Sequence, residues 1–519
     1  MRLCAAHLKR WSDAGIGTGG RVLQLWGTSP AEWACLVAPV ERSDWGVLSV
    51  KKLFVLLFLG GLGWGVYRLL VGGGLTVVLD RTPPVVAFSG EIAGVGMEPV
   101  KIPVTLTDAG SGVSTVRVMV VQNGESREVL TRVFAVPRDE EVVEIDFAPR
   151  ALGLKEGEAE VVVQSGDNSV WESSGSGTIK VLVDYARPRM EVLSLQHVAV
   201  AGGAEFVVYR ATDTNMRNSG VRVGAIEFPG LPLSDFDSSA SVEPGLFVAL
   251  FALPLEMTTA ERVQAFARDN AGNETLVPVN FRIDLGKPTE VTSKLTKPFL
   301  EAKMPELMDK FIVASGKEEK PDYTSTDGLM ASFRFVNEDY RHLLNAKLKV
   351  LFEAPLTPRL WTKEVFLRPM PAATSSIFGE HRNYALDGTP VSQSMHNGVD
   401  LASTGNAPVM AVQDGTIVMA EDHGIYGNTI VVDHGAGLFS LYGHLASMLV
   451  STGEAVKRGV TIGRTGTTGL AGGDHLHFEF RVRNVPVNPI EWWDPKWLID
   501  NIEGKIDGVR AVAPAGNPT

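Results

Sequence analysis

Cysteine is scarce in this chain. Its 519 residues include two cysteines, Cys4 and Cys35, and both lie near the amino terminus. Everything after them lacks thiols, which excludes a disulfide framework and a cysteine-ligated zinc site from that part of the chain. A metal site there would have to use imidazole and carboxylate ligands.

Positive charge is also in deficit. The chain has 48 Lys and Arg against 60 Asp and Glu, which gives a formal net charge of -12. This balance argues against nonspecific binding to nucleic acid or to anionic lipid, and we expect no nucleic-acid partner. The length leaves room for three or four domains, and the composition, 45% apolar and 21% charged, is that of an ordinary globular protein.

Histidine is concentrated in one stretch, with six of the ten between residues 396 and 477. Three short motifs in that stretch carry metal-ligating residue types: His396 to Asp400, Leu441 to Leu445, and His475 to Glu479. A hydrolytic zinc centre needs three imidazole or carboxylate ligands, an open position for water, and nearby groups that can move protons. The four histidines and one aspartate of these motifs supply that set.

The spacing indicates which structures carry these residues. In an extended segment alternate side chains share a face, so His475 and His477 are expected to project into one site with the intervening leucine turned away. His396 and Asp400 flank an Asn-Gly turn signal, which favours a loop or strand end over a helix. The helical zinc motif, two histidines four apart around a glutamate, is absent from the sequence.

In these motifs the stretch resembles the M23 family of zinc metallopeptidases, the lysostaphin-like or LytM-type peptidoglycan endopeptidases, over roughly residues 362 to 495. The resemblance implies zinc as the cofactor, with His396, Asp400 and His477 as its ligands. It makes His444 and His475 the catalytic pair beside the metal-bound water. It also implies a small antiparallel β domain with a groove over the sheet, and peptidoglycan peptide stems as the substrate.

Three other histidines are interpreted without a metal role. His423 follows two acidic residues and is expected in a solvated loop. His434 precedes Gly435 and is interpreted as a turn residue. His381 is expected in a surface loop.

An uncharged apolar run from Leu53 to Tyr67 follows Lys51 and Lys52. It predicts a membrane anchor over residues 51–79, with a cleaved signal peptide as the alternative, although no Ala-x-Ala-like cleavage site follows. The two lysines place the amino terminus in the cytoplasm. We therefore expect a single-pass inner-membrane protein whose carboxyl-terminal part lies in the periplasm or cell envelope. Residues 1–50 are either a cytoplasmic tail or an untranslated extension.

Beyond the anchor the sequence repeats. An Asp-x-x-x-Pro spacing begins at Asp80, Asp184 and Asp284, at intervals of about a hundred residues, the size of an immunoglobulin-like sandwich. Two further landmarks recur between the first two intervals, Thr107-Asp108 with Thr212-Asp213 and Asp167-Asn168 with Asp269-Asn270. The repeat predicts two immunoglobulin-like β-sandwich modules, at residues 80–186 and 187–286.

These aspartates and asparagines have two interpretations, calcium ligands or turn chemistry. Because no twelve-residue calcium loop with a terminal glutamate is present in the sequence, turn chemistry is favoured. The modules are interpreted as spacers that hold the hydrolase away from the membrane, and they also offer surfaces for cell-wall protein partners.

Helical periodicity from residue 297 to 348 predicts a helical hairpin within a linker at residues 287–361. The hairpin is either a connector or an adaptor that packs on the catalytic groove. The peptidase domain is predicted at residues 362–510, followed by a disordered tail at 511–519.

The sequence thus predicts a mainly β, multidomain protein: a membrane-anchored zinc metalloendopeptidase that hydrolyses peptide cross-links of peptidoglycan. The alternative is a non-catalytic LytM-type regulator that binds and activates cell-wall amidases. A third arrangement is an autoinhibited enzyme, in which the hairpin or a side chain such as His381 or Asn383 fills the open zinc position. Which of His444 and His475 is the general base stays open.

Overall fold

The computed structural model describes residues 63–64, 74–90, 92–195, 197–237, 244–258, 262–285, 289–316 and 321–512. This part of the chain is mainly β, as predicted. Residues 1–50 and most of the predicted anchor lie outside it, and α1 (Gly74–Leu79) is described at the anchor's end. Within the described ranges, no helix has both the length and the apolar character needed to cross a bilayer.

The first β unit consists of two antiparallel sheets. Its strands are β1 (Val85–Phe88), β2 (Val100–Thr107), β3 (Val113–Gln122), β4 (Glu125–Arg138), β5 (Glu140–Phe147), β6 (Gly157–Asp167) and β7 (Ser174–Val183). The strand orders are β1-β2-β5 and β4-β3-β6-β7. In β3 the alternate residues Val116, Val118 and Val120 are buried between the sheets, as the period of two requires.

The second β unit also has two antiparallel sheets, with orders β13-β14-β10-β8 and β12-β11-β15-β16, and a parallel pair of β9 with β17. Its elements are β8 (Arg189–Val192), β9 (His197–Val200), β10 (Ala204–Thr212), β11 (Met216–Val223), β12 (Ile226–Pro229), β13 (Leu231–Pro232), α2 (Leu233–Phe236), β14 (Leu246–Ala252), β15 (Val263–Asp269), β16 (Glu274–Pro278) and β17 (Phe281–Asp284).

A helical segment follows, and it begins with a strand that the sequence analysis did not predict. Its elements are β18 (Thr289–Leu295), α3 (Lys297–Ser315), α4 (Thr326–Phe335), a π-helical turn (Val336–Tyr340) and α5 (Arg341–Phe352). The side chain of Thr296 caps the start of α3, and Gly316 ends it in the left-handed conformation, with φ of 70°. β18 pairs in parallel with a strand of the next region, so this part of the predicted linker belongs to a sheet.

The carboxyl-terminal region is built on a ten-stranded sheet with the order β19-β22-β29-β26-β25-β24-β27, to which β23, β28 and β30 attach. Its strands are β19 (Ala373–Ser376), β20 (Glu380–Leu386), β21 (Thr389–Met395), β22 (Val399–Ala402), β23 (Pro408–Met410), β24 (Gly415–Asp422), β25 (Asn428–Asp433), β26 (Leu438–Met448), β27 (Ala455–Val456), β28 (Thr461–Thr465), β29 (Leu476–Val482) and β30 (Val485–Val487). β20 and β21 form a separate sheet with β18. The helical elements are a 3-10 turn (Gly424–Tyr426), α6 (Pro489–Trp492), α7 (Pro495–Leu498), a π-helical turn (Ile499–Glu503) and α8 (Gly504–Val512).

Both faces of this sheet are covered. In β25, Ile430 and Val432 point into a core shared with the second β unit, while Val431 between them points into a core formed with the helical segment. On the helical side the ring of Phe352 lies 5.0 Å from that of Phe439. The helical segment therefore packs directly on the sheet.

The core of the second β unit continues into the carboxyl-terminal region without a break. The Phe206 and Phe236 rings lie 4.9 Å apart, Phe236 meets Trp361 at 5.4 Å, and Trp361 meets Trp492 at 6.4 Å. The first β unit has a separate core. The two predicted modules thus differ in how they are held, because the second shares its hydrophobic interior with the next region.

Polar groups are buried at this junction as well. Lys505 of α8 forms an ion pair with Glu205 of β10, and Arg359 pairs with Glu503 at 2.7 Å. Glu491 of α6 accepts a hydrogen bond from the backbone N–H of Ala204 at 2.9 Å. Burial raises the pKa of Glu491 from 4.5 to about 7.

This carboxyl makes the stability of the junction depend on pH. The unfolded chain ionises Glu491 near pH 4.5 whereas the folded chain keeps it protonated up to about pH 7, so its contribution is present at low pH and lost as pH rises through this window. We expect Glu491→Gln to match the wild type at pH 4, below the pKa of the unfolded carboxyl, and to be about 1–3 kcal/mol more stable at pH 8, measured by urea unfolding. Glu156→Gln, which replaces an exposed carboxylate, is the control, and its stability relative to the wild type should not change between the two pH values. If the difference in unfolding free energy between Glu491→Gln and the wild type is the same at the two pH values, the raised pKa of Glu491 is contradicted.

Candidate metal centre

Strand register brings the predicted ligands together. Asp400 on β22 lies directly opposite His477 on β29, and His477 lies opposite Gly443 on β26. His396 is the residue after the end of β21, where its side chain is 4% exposed. The expectation of a loop or strand end around His396 and Asp400 agrees with these elements.

A β-bulge sets the position of His444. Gly443 and His444 together stand opposite the single residue Thr429, between the pairs Ile430–Tyr442 and Asn428–Leu445. His444 has φ of 62°, in the left-handed region, where a residue other than glycine costs about 1–2 kcal/mol. At this position the ring centre of His444 lies 5.8 Å from that of His477, one of the predicted ligands.

Three donor atoms form a compact triangle. Nε2 of His396 lies 3.0 Å from Oδ1 of Asp400 and 3.2 Å from Nδ1 of His477, and the latter two atoms are 2.9 Å apart. Tetrahedral zinc with bonds of about 2.0–2.1 Å would hold its ligand atoms about 3.3 Å apart. Within the part of the chain that the structure describes, these residues form a group that could hold a metal ion, and a small outward movement of each donor would fit zinc.

Hydrogen bonds behind the triangle fix the two imidazoles. Nδ1–H of His396 donates to the carbonyl oxygen of Ile377 at 2.7 Å, and Nε2–H of His477 donates to Oε1 of Glu479 at 2.9 Å. Glu479 is completely buried and also accepts from Arg481 at 2.7 Å. These bonds engage the outer nitrogen of each imidazole and leave the other nitrogen, Nε2 of His396 and Nδ1 of His477, directed into the triangle, where a metal ion would take the place of any proton.

The pKa values of the two carboxylates follow from these bonds. Burial acts to raise both, but the charge of Arg481 and the bond from His477 outweigh it and lower the pKa of Glu479 to about 2. Bonds with His396 and His477 likewise hold the pKa of Asp400 well below its ordinary value. Both carboxylates are thus anionic, which favours a cation between the imidazoles.

Arg382, which the sequence analysis did not single out, is also part of the centre. Its guanidinium donates to Oδ2 of Asp400 at 2.9 Å, leaving Oδ1 for the triangle, and to Oε2 of Glu380 at 3.2 Å. His381 and Asn383, on the opposite face of β20, turn instead to Glu290 at 2.8 Å each. Arg382 is therefore the residue of this strand that contacts a predicted ligand. Because side chains alternate along β20, His381 and Asn383 lie on its other face, away from the position that they were expected to fill.

His444 and His475 form a second pair beside the triangle, with ring centres 4.8 Å apart. Nδ1–H of His444 donates to the carbonyl oxygen of Thr468 at 2.9 Å, and Nδ1–H of His475 donates to that of Gly473 at 2.8 Å. Burial and the charges of its neighbouring histidines hold the pKa of His444 well below its ordinary value. His444 is therefore neutral, with Nε2 free to accept a proton.

The centre opens into a cavity of about 490 Å³. One side is formed by His396, His444, His475 and His477 with Arg382. The other side is formed by the helical segment, with Val291, Ser293 and Leu295 of β18, Thr296, and Phe299 of α3.

Two remaining histidines are buried within the same region. The expectation of a solvated loop for His423 is wrong, because α5 covers it: the side chain is 4% exposed and its Nε2 lies 3.2 Å from the carbonyl oxygen of Leu344. His434 is completely buried, with Nδ1–H donating to the carbonyl oxygen of Asp414 and Nε2 bonded to Ser440, both at 2.8 Å. Burial lowers its pKa to about 4, and it serves as a neutral core residue.

Residues 394–489 match the model of Peptidase family M23. The resemblance of this stretch to family M23 is confirmed. The M23 stretch contains all five predicted site residues, whereas Arg382 precedes it.

The relatives extend the comparison to named proteins. Over 96 residues the chain is 43% identical to the peptidoglycan DD-endopeptidase ShyA of Vibrio cholerae, which is 18% of this chain and 22% of that protein. It is 40% identical over 96 residues to the DD-carboxypeptidase/endopeptidase Mpg of Neisseria meningitidis, with the same shares of 18% and 22%. The match thus spans about a fifth of the length of these relatives. The catalytic domain of lysostaphin from Staphylococcus simulans is 29% identical, covering 24% of this chain and 91% of that one, with a TM-score of 0.19.

Proposed function

We propose that this protein is a zinc metalloendopeptidase that hydrolyses peptide cross-links of peptidoglycan. The observation that carries the proposal is the donor triangle of His396, Asp400 and His477, with two further imidazoles beside it in a cavity. The names of the relatives, which are peptidoglycan endopeptidases, support the substrate class.

The proposed roles follow from which nitrogen of each imidazole is not engaged by a backbone carbonyl or by Glu479. Nε2 of His396, Oδ1 of Asp400 and Nδ1 of His477 would hold zinc, which supplies Lewis-acid activation of a water molecule and of the scissile carbonyl when bound. One imidazole of the pair His444 and His475 accepts the proton of the attacking water at Nε2. The other, as imidazolium, donates a hydrogen bond from its Nε2–H to the carbonyl oxygen as negative charge develops, and the first imidazole passes the proton taken from water to the leaving amine. The neutral state of His444 favours it as the acceptor.

Arg382 and Glu479 act as positioning residues in this proposal. The Arg382 guanidinium holds one oxygen of Asp400 so that the other points into the triangle, and Glu479 holds the ring of His477. Groups of this kind orient ligands, and their removal typically lowers metal affinity or activity about 10–100-fold.

Location in the cell is part of the proposal. The lysines before the apolar run, and the run itself, support an inner-membrane anchor with the peptidase on the periplasmic side, and the two β units would be immunoglobulin-like spacers. Reporter fusions at residue 90 should place it outside the cytoplasm. Mature protein with an amino terminus beyond residue 70 would instead support the signal-peptide alternative.

The activity is tested on purified sacculi. Full-length protein prepared without chelator is expected to carry one zinc in the triangle and to release soluble fragments, whose new amino and carboxyl termini mass spectrometry would place within the cross-bridges. His342→Ala, which removes an exposed histidine of α5, is the control and should retain both zinc and activity. Zinc-loaded protein that leaves the cross-bridges intact would contradict the proposal and favour the regulator that activates amidases.

Restricted access to the centre is a second candidate property, favoured by the helical segment that forms one side of the cavity. Two polar contacts tie α3 to the M23 stretch: Lys303 donates to the carbonyl oxygen of Thr467, and Lys310 pairs with Asp422 at 2.9 Å. If α3 limits entry, replacing both lysines with methionine should speed sacculus cleavage. Lys297→Met is the control, because Lys297 pairs within its own helix. Unchanged cleavage in the double variant would make the segment a connector.

A further inference from the structure

The landmark aspartates of the first repeat meet in space. Asp80 lies before β1, Asp108 follows β2, and Asp167 ends β6. One carboxylate oxygen from each lies within 4.8 Å of the others. Three segments that are distant in the sequence therefore place like charges at one end of the first β unit.

In two of these residues, only one of the two carboxylate oxygens accepts a hydrogen bond within a turn. Oδ1 of Asp108 accepts from the backbone N–H of Gly110 at 2.8 Å, and Oδ1 of Asp167 accepts from that of Ser169 at 3.1 Å. Both side chains are 5% exposed, and the buried Oδ2 of each has no hydrogen-bond partner. A buried carboxylate oxygen without a donor is costly, so these two atoms call for a ligand.

No cationic side chain in the described part of the chain supplies the missing partner for these two oxygen atoms. Among the described residues, no lysine or arginine forms an ion pair with Asp80, Asp108 or Asp167. The guanidinium of Arg81 instead lies over the ring of Trp171, 4.4 Å from its centre. Burial, together with the charges of Asp80 and Asp167, raises the pKa of Asp108, whereas hydrogen bonds from Thr82 and Ser111 lower that of Asp80.

The second β unit contains the equivalent triad, Asp184, Asp213 and Asp269, and it differs in one respect. There the side-chain amide of Asn273 enters the cluster and donates to Oδ2 of Asp269 and to the carbonyl oxygen of Asp184, at 2.8 Å each. Trp171 is the residue at the same distance after Asp167, and its indole N–H donates away from the cluster, to the carbonyl oxygen of Val78. Ser169 donates its hydroxyl to Oδ1 of Asp167 at 2.9 Å, but within the described part of the first unit no side chain donates to Oδ2 as Asn273 does in the second.

We propose that Asp80, Asp108 and Asp167 bind a calcium ion, which takes the place that an amide group fills in the second unit. The donors are oxygen atoms, which hard divalent cations prefer, whereas the zinc centre uses imidazole nitrogen. The bound ion joins the segment before β1 to the turns that follow β2 and β6. This links the start of the unit, next to α1, to both of its sheets.

The test uses calcium titration of the full-length, zinc-loaded protein by calorimetry. We expect one saturable calcium site per chain, its loss in Asp108→Asn, and its retention in Asp213→Asn, the matched change in the second triad. Asp80→Asn removes a charge from a different segment and should also lose the site. The proposal is overturned if the wild type takes up no calcium, or if Asp213→Asn lowers the uptake as much as Asp108→Asn.

Thermal unfolding separates a lost site from a damaged fold. Calcium is expected to raise the melting temperature of the wild type in a concentration-dependent way, and to leave that of Asp108→Asn unchanged. Without calcium, Asp108→Asn should melt at the same temperature as the wild type or above it, because it removes a buried, unpaired charge. An Asp108→Asn protein that is less stable without calcium would show that the carboxylate has a structural role only.

Discussion

Asp400→Ala is expected to lose bound zinc and sacculus cleavage together. The substitution removes one of three donors, and a remnant of two imidazoles cannot hold the ion tightly. It also leaves the guanidinium of Arg382 facing the imidazoles of His396 and His477, where positive charge disfavours a cation. His477→Ala should have the same two consequences.

Zinc content and cleavage are measured on the same preparations. Glu421→Ala is the control, since it removes an exposed carboxylate of the same sheet and should change neither quantity. Asp400→Asn is the sharper variant, because it preserves the shape and removes the charge. Full zinc content in both Asp400 variants would show that the aspartate is not a ligand.

His444→Ala is expected to keep its zinc and lose cleavage by about a hundredfold to ten-thousandfold, the range for removal of a general acid or base. The imidazole lies beside the donor triangle but supplies none of its three atoms. Because His444 has a left-handed backbone, His444→Asn is a useful second variant, since asparagine adopts that conformation more readily than alanine.

Comparing the two substitutions separates chemistry from strain. Both remove the imidazole, so both should be slow, while the asparagine variant should be the more stable to heat. If His444→Ala loses its zinc while Asp400→Ala keeps it, the assignments of ligand and catalyst are inverted. Activity restored in His444→Asn alone would mean that backbone geometry, and not proton transfer, is what the residue provides.

The metal centre was the part of the molecule most accessible from the sequence. Its motifs are short and local, and the period of two places His475 and His477 on one side without knowledge of the fold. Arg382 and Glu479 were missed for different reasons. Glu479 is two residues from His477 and therefore shares its face, a signal that was available, whereas the contact of Arg382 with Asp400 depends on how two separate sheets meet.

Features that depend on long-range packing could not be predicted from local pattern. Nothing in the composition of residues 289–295 shows that they pair in parallel with β20, since the partner lies about ninety residues away. His423 appeared solvated because its neighbours in sequence are acidic, but α5 covers it. The repeat located the aspartates of both β units, yet only the structure shows that Asn273 completes one cluster and that the other lacks such a donor.

The interior shared by the second β unit and the carboxyl-terminal region has a consequence for how this protein can change in evolution. The stretch similar to known peptidases spans 96 residues in the matches to ShyA and Mpg, and its sheet packs on one face against a core shared with the second β unit and on the other against the helical segment. Excision of that stretch alone would expose two apolar surfaces to water. Recombination that preserves a folded product must therefore exchange a segment that extends well beyond residues 394–489, so the part of the chain that has to be inherited together is larger than the part that matches family M23.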